Sequence, residues 1–404
     1  MPVRGFGRPL LVWALLLAAP TTARAQSASD QAPVDRAISV GGEVQATSAP
    51  RDHEAYFNYT DYDHDALRLL RIRLFGEWRA SRRLSLIGEL RTENTDALSA
   101  AALYVRWRPS ELRDVFIQAG RIPPIFGSFG LHAYGRDNVV IGQPLAYQYL
   151  TSLRPDALPA TVDDLLHMRA RGWQPSFTVG STALRPGIAL VAASRWDTGI
   201  SALWRTAHLD LAGALTRGAP SIPVVRDRND GMMWSGRIAA RLPAGLVLGL
   251  SAARGQWIND DVLALVSGTA KPPSSQSVIG TDVELGLGRW LVRSEWIRAQ
   301  FELPIVAATP SNTQLDAWAG FIEGRYRLSP RWQLGVRADR LSFSRIQGTG
   351  AATTWDADVD RAEGIVGFRA TRALELRGGW QKNWRDGGRV RAQGGPIASL
   401  LYWF

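Results

Sequence analysis

The chain has 404 residues, 46% of them hydrophobic, and its 47 Lys plus Arg against 37 Asp plus Glu give a formal charge of +10. Cysteine is absent, which excludes a disulfide framework and thiolate chemistry, and Lys271 and Lys382 are the only lysines, so the charge is almost all guanidinium. The length allows two soluble domains or one large barrel, and no linker divides it.

Arg4 and Arg8 precede an apolar run from Leu10 to Ala19, and Ala23-Arg24-Ala25 makes a small-x-small cleavage site. Residues 1–25 therefore read as a secretory signal peptide. An apolar run of that length is too short to cross ~30 Å of hydrocarbon. Loss of Arg4, Arg8 and Arg24 with the leader takes the formal charge from +10 to +7. Residues 26–36 are polar and read as a flexible periplasmic leader, and residues 37–404 as the folded unit.

Two-residue alternation, the period of a strand, begins at Ile38 and runs through Val40, Gly42, Val44 and Ala46. A polar segment with Asp61, Asp63, His64 and Asp65 follows. The second strand is the clearest: Leu70, Ile72, Leu74, Gly76 and Trp78 share one face, and Arg71, Arg73, Phe75, Glu77 and Arg79 the other. Further strands are expected at Leu84–Arg91, Ala101–Arg108 and Val115–Arg121. From Ile122 to about Asp197 the rhythm breaks. A long insertion in a compact fold is disordered or functional, and this one is too rich in Trp, Phe, Leu and Tyr for plain disorder. Within it, Val162–Ala170 fits one or two helical turns and Ile188–Ser194 a strand.

Alternation resumes at Gly199 and recurs in Ile200–Trp204, Leu209–Leu215, Trp234–Leu242, Leu246–Ala252, Ile279–Leu287 and Trp290–Trp296. It continues in Trp318–Tyr326, Trp332–Ala338, Gly364–Ala370 and Leu374–Trp380, then in a last strand that places Ala398, Leu400, Tyr402 and Phe404 on one face. Short connections such as Ala80–Arg83, Gly288–Arg289 and Leu328–Arg331 alternate with long polar ones such as Trp257–Val278 and Ser344–Arg361. That is the loop pattern of outer-membrane barrels. On the apolar parity, Trp78, Trp107, Trp204, Trp290, Tyr326 and Trp332 stand beside the short turns, and Trp234, Trp296, Trp318 and Trp380 at the loop ends. Trp318 to Tyr326 spans ~26 Å at ~3.3 Å per residue, or about 20 Å of membrane normal at ~40° tilt, near the ~25 Å apolar band of such barrels. The expected fold class is all-β: a transmembrane antiparallel β-barrel of about 16 strands, with a long inserted loop after strand 5. Closure leaves no unpaired strand edge in lipid.

The opposite parity then faces the lumen. It carries Arg71, Arg73, Arg79, Arg91, Arg106, Arg108, Arg237, Arg241, Arg293, Arg325, Arg337 and Arg377, with Glu43, Glu77, Glu89, Asp282, Glu284, Glu295, Glu323, Asp339 and Glu375. An arginine on the lipid face would cost ~2–4 kcal/mol near the midplane. Sixteen strands are expected to enclose a water-filled channel. Guanidinium forks suit carboxylate and phosphate, which points to a weakly anion-selective pore; the alternative is arginines that pair with the lumen carboxylates and hold the wall in shape. Residues 122–197 are expected to fold inward and narrow the pore, with Arg136, Asp137, Arg154, Asp163, Asp164, Arg169 and Arg171 as charged candidates for the constriction. The alternative is a lid at the cell surface.

Three stretches resemble the phosphate-selective porin O and P group of the general porin superfamily. They are Gly120–Gly127 with its Pro-Pro-Ile-Phe-Gly, Val283–Ile297 (VELGLGRWLVRSEWI) and Gly335–Phe343 (GVRADRLSF). The resemblance implies an outer-membrane channel for passive diffusion of small hydrophilic solutes. Its implied partners are outer-membrane lipid and lipopolysaccharide, and the barrel-assembly machinery acting through the C-terminal strand; it leaves a homotrimer open. A lysine-based anion site cannot be carried over to a chain with so few lysines.

No cofactor, metal or nucleic acid is expected. Asp61, Asp63, His64 and Asp65 read more simply as a solvated acidic loop than as calcium ligands, and the five histidines form no zinc motif. No nucleophile-elbow pattern occurs, so the chain does not read as an enzyme, with a barrel hydrolase as the remote alternative. Thr353–Asp356 and Arg385–Arg391 read as exposed loop. A barrel plugged by its own insertion and acting in surface interactions is the main competing class.

Overall fold

The computed structural model describes residues 37–49, 70–94, 98–133, 135–192, 196–223, 229, 231–266, 272–305, 314–388 and 390–404. Sixteen strands each pair with the next, and the last with the first, in a closed antiparallel barrel. They are β1 (Ile38–Ser48), β2 (Leu70–Arg79), β3 (Leu84–Glu93), β4 (Ser99–Trp107), β5 (Asp114–Ile122), β6 (Asp197–Arg205), β7 (Leu209–Thr216) and β8 (Met233–Leu242). The second half holds β9 (Leu246–Gln256), β10 (Ser275–Leu287), β11 (Trp290–Glu302), β12 (Gln314–Arg327), β13 (Trp332–Phe343), β14 (Val359–Arg369), β15 (Leu374–Arg385) and β16 (Ala392–Trp403).

The sidedness follows from the period. On β2, Leu70, Ile72 and Leu74 are 39%, 37% and 40% exposed, while Arg71 and Arg73 between them are 5% and 7% exposed. Greasy side chains turned outward all round a closed sheet suit hydrocarbon, not water. The tryptophans beside the short turns and those at the loop ends are likewise exposed on the outer face, and Trp290 meets its cross-strand partner Tyr326 at 4.5 Å between ring centres. At the seam Glu43 lies opposite Trp403, and Gly42 and Phe404 exchange amide-to-carbonyl bonds of 3.1 Å. Gly42 is a close approach, since a Cβ there would run into the Phe404 ring.

Several strands run past the ends that the apolar alternation marks. β10 begins at Ser275, β11 continues to Glu302, β12 begins at Gln314 and β15 ends at Arg385. Beyond the loop-end tryptophans the outward positions turn polar, as at Ser277, Arg298, Gln300 and Asp316. The outward apolar period stops there, but the backbone groups still need partners and the ladder continues.

The insertion holds two short helices, α1 (Leu145–Gln148) and α2 (Val162–His167), and α3 (Asp260–Val266) sits in the loop before β10. A capping box starts α2: the Asp164 amide donates to Thr161 Oγ1 at 3.1 Å and the Thr161 amide to Asp164 Oδ2 at 2.9 Å. The strand expected over 188–194 does not form. The backbone there bonds back into the insertion instead, Thr151 donating to Ile188 and Val191 donating to Ala146; residues 193–195 lie outside the described residues. Nor is Thr353–Asp356 exposed loop, because Trp355 and Asp356 are fully buried. The acidic segment Asp61–Asp65 lies outside the described residues.

Candidate channel lumen

The interior is not uniform. Toward the long loops, the inward positions of β10–β13 are apolar and buried: Val278, Ala299, Phe301, Leu315, Leu341 and Phe343. They pack against Leu145, Leu158, Leu165, Phe177 and Leu190 of the insertion and against Trp355. This corrects the expectation of a lumen filled by water alone, since part of it is a dry core. The cause lies in the wall, where the inner parity of these strand ends is apolar and needs cover.

Below this core a strap, residues 127–133 and 135–143, is tied across the lumen. Gly127 takes φ +72 in the turn after Pro123-Pro124, and its amide donates to Ser251 Oγ on β9 at 3.1 Å. The Ser128 and Phe129 amides point to the Glu295 carboxylate on β11. Further on, the Ile141 and Gly142 amides donate to Glu363 Oε1 on β14 at 2.8 and 2.9 Å. Arg337 on β13 donates to the Gly142 carbonyl at 2.7 Å and to Asn138 Oδ1 at 2.8 Å. Arg377 on β15 donates to the Asn138 carbonyl at 2.9 Å, and Arg361 on β14 to that of Gln143 at 2.7 Å.

The strap also reaches the far wall. His132 Nε2 is 3.7 Å from Glu284 on β10, whereas Gly135 presses on the Glu43 carboxylate of β1 and Arg136 stacks over Trp403 of β16 at 5.4 Å. Three residues reach at most ~10 Å, so the strap forms a chord between β10 and β1. Residues 137–148 fill the sector against β11–β15, and the sector of β2–β8 lies on the other side.

Most of the inward arginines have acidic partners. Arg71 bonds Glu93 at 2.8 Å. Arg73 forks onto Glu89 at 3.0 and 2.9 Å. Arg91 lies 3.7 Å from Glu93, and Arg79 3.4 Å from Glu77. Arg108 meets Asp114 at 3.0 Å, Arg237 meets Asp282, and Arg241 meets Asp210 at 2.7 Å. Arg293 bonds Glu284 at 2.7 Å and the Asp137 carbonyl at 2.9 Å; Arg337 pairs with Glu323, and Arg377 with Glu375. Arg106 and Arg325 have no carboxylate within ion-pair distance among the described residues. The guanidinium of Arg106 reaches Tyr104 Oη at 3.3 Å and lies 5.5 Å from the Phe116 ring, and its Nε is buried without a partner.

The seven charged candidates of the insertion divide. Arg136 and Asp137 lie in the strap among the ionised side chains of the wall. Arg154 is buried within the insertion, forked onto Asp156 at 2.9 and 3.0 Å. Asp163 accepts the Thr349 amide, Asp164 caps α2, and Arg169 bonds Thr354 and Asp386. Arg171 is exposed. Of these, Asp163 and Arg169 hold the insertion to the loops. Sequence reasoning missed Asn138, Arg361 and Glu363; the Arg361, Glu363, Ile365 spacing continues the period of β14 and was the available signal. It also missed Asp356, whose carboxylate accepts the amides of Ser152, Ala170 and Ala357 at 2.7, 2.9 and 2.7 Å. Burial raises the Asp356 pKa, with those amides opposing it. His132 is pushed down to about 4 by burial and then by the Arg293 charge, so it is neutral at pH 7.

No protein-family model matches the chain, and no curated protein matches it in sequence. Solved structures do match in shape. An anion-selective porin from Comamonas acidovorans superposes with a TM-score of 0.56 at 9% identity, covering 91% of this chain and 99% of that one. OmpF of Salmonella typhi, in complex with daunomycin, gives 0.54 at 10% identity over 91% and 97%. The outer-membrane channel DcaP of Acinetobacter baumannii gives 0.53 at 9% identity over 91% and 97%. The likeness is one of fold: this chain has the closed sixteen-strand architecture of the porins.

Proposed function

We propose that this chain is an outer-membrane diffusion channel for small hydrophilic solutes, with a weak preference for anions, narrowed by the strap. The observation that carries it is the sided barrel: lipid-facing Leu, Ile and Trp outside, an ionised wall inside. The passage runs between the strap and the β2–β8 wall, past Arg79, Arg106 and Arg108, which are half-buried and not packed into the dry core. Arg106, with no acidic partner among the described residues, supports the anion preference. The porin-fold neighbours, one of them named anion-selective, support the same reading. Kinship with the phosphate-selective O and P group rests on the three quoted stretches alone. Arginine is almost the only cation on the inner wall, so we propose general anion preference in place of phosphate specificity. Residues 1–25 act as the export signal in this reading.

Planar-bilayer recording tests it. Wild-type barrel should give discrete conductance steps and an anion-directed reversal potential in a salt gradient, and Arg106→Ala should move that potential toward zero. Absence of steps from correctly folded barrel would end the channel reading. An unchanged potential in Arg106→Ala would end the role of that residue.

A further inference from the structure

The arginines near the short turns are not all held alike. On the β2–β8 wall, Arg79 pairs with Glu77, Arg108 with Asp114 and Arg241 with Asp210. Under the strap, at the short-turn ends of β12–β15, such pairing fails. Arg325 and Arg327 on β12 and Arg136 on the strap meet no carboxylate within ion-pair distance among the described residues. The wall carboxylate there is Glu375, and it is already engaged. Its Oε1 accepts from Arg377 at 2.6 Å and from Gln333 at 2.7 Å, while Arg369 stands 4.0 Å from its Oε2.

These guanidinium groups gather in one place. Arg327 is level with Gln333 and Gly367, and Arg369 lies two residues beyond Gly367 on β14. At ~4.8 Å between strands and ~3.3 Å per residue, the Cα atoms of Arg327 and Arg369 are roughly 12 Å apart. Arg369 feels the charges of Arg136, Arg327 and Arg377, and Arg325 those of Arg327, Arg293 and Arg377; Glu375 and Asp137 oppose them. The strap roofs the cluster. The Val139 carbonyl lies against Gly335, which is level with Arg325, and Val139, Val140 and Ile141 pack on Ile365 and Ile397. Arg377 is spent on that roof, donating to the Asn138 and Val140 carbonyls. The others are reached from the short-turn side: Arg325 is half-buried, Arg327 exposed and the Arg369 side chain 34% exposed. Like charges held together without partners repel one another, and the wall does not balance them.

We infer that this cluster is a binding site for a small polycarboxylate, a solute with two or three carboxylate groups, entering from the short-turn side. The inference rests on the water-filled lumen proposed above and adds a site beside the passage, which runs along β2–β8. Three features select this occupant. A guanidinium fork takes a carboxylate through two parallel hydrogen bonds. The forks stand on two strands and the strap, so they match anionic groups spread over a carbon frame, whereas chloride, a monocarboxylate or a lone phosphate engages one fork. Arg136 belongs to the strap and Arg325, Arg327 and Arg369 to the wall, so an occupant also ties the strap to the wall.

The test is calorimetric titration of the detergent-purified mature barrel with citrate, acetate and inorganic phosphate at equal ionic strength. Wild type should bind citrate well above the other two. Arg327→Gln should weaken citrate binding about tenfold, the scale of one lost charge-assisted hydrogen bond, and Arg325→Gln/Arg369→Gln about a hundredfold. Thermal unfolding supplies a readout that a wall-holding role would move the other way. Without solute, the double variant should melt no lower than wild type, because it relieves repulsion, and citrate should raise the Tm of wild type alone. Arg82→Gln/Arg113→Gln, which removes exposed turn cations outside the cluster, should leave citrate binding unchanged. Acetate or phosphate binding as tightly as citrate, unaltered citrate affinity in the cluster variants, an equal loss in the turn variant, or a lower Tm of the double variant without solute would each overturn the inference. Conductance of the same preparation separates the two readings: barrel that conducts but binds no citrate defeats only this one, and barrel that binds citrate but gives no steps defeats only the channel.

Discussion

The two walls of this barrel solve the problem of an inward face differently. On β2 and β3 that face is mostly ionised, apart from Phe75 and from Ile87, which joins a small apolar cluster with Ile122 and Ile125. Arg73 forks onto Glu89, Arg71 bonds Glu93, and the wall satisfies itself across neighbouring strands. On β11 and β12 the face changes character along the strand: Arg293, Glu295 and Glu323 near the short turns give way to Ile297, Ala299, Phe301 and Leu315 near the loops. An apolar inner face has no cross-strand bonds to make and gains by being covered, so the insertion settles there. The lesson is that the insertion is placed as much by what one wall lacks as by its own contacts. The strap lies at the boundary, where it bonds charged groups and continues into the dry core.

Exchanging the chemistry of the two walls should break this contrast most strongly. Phe301→Arg places a cation in the dry core without a partner and should cost about 3–5 kcal/mol, the scale of an uncompensated buried charge. Limited proteolysis should then cut the insertion while the barrel keeps its heat-modifiable gel mobility. Retention of a protected insertion would show that the apolar wall does not hold it. A smaller effect is expected at the boundary. Glu363→Gln removes the negative charge that the Ile141 and Gly142 amides meet, for about 1–3 kcal/mol. Its readout is open-channel noise, which should rise as the strap loosens while mean conductance changes less. Smallest is the pH effect at His132, whose folded pKa is lowered to about 4 from 6.5. A depressed histidine pKa stabilises the fold above pH 6.5 and loses that contribution as pH falls toward 4. Thermal unfolding in detergent should show this slope between pH 6.5 and 4, and His132→Gln should flatten it.

The outer face was the legible part. β2, β12 and β13 follow from two-residue spacing because burial against lipid depends only on parity, which is local. Closure was visible in the terminal strand, whose partner β1 has the same alternation. The interior was harder. Ile141 and Glu363 are 222 residues apart in the chain, and no local pattern in either segment announces the other. Trp355 and Asp356 looked like solvated loop for the same reason: only the packed insertion buries them.

Period-two sidedness, the number of strands and the position of the break at Ile122 were thus determined by the sequence alone, because each rests on neighbours along one strand. Tertiary structure decided which inward residues are wet and which are dry. That depends on where a segment with no period of its own comes to rest, and the resting place is selected by contacts with strands far away in the chain.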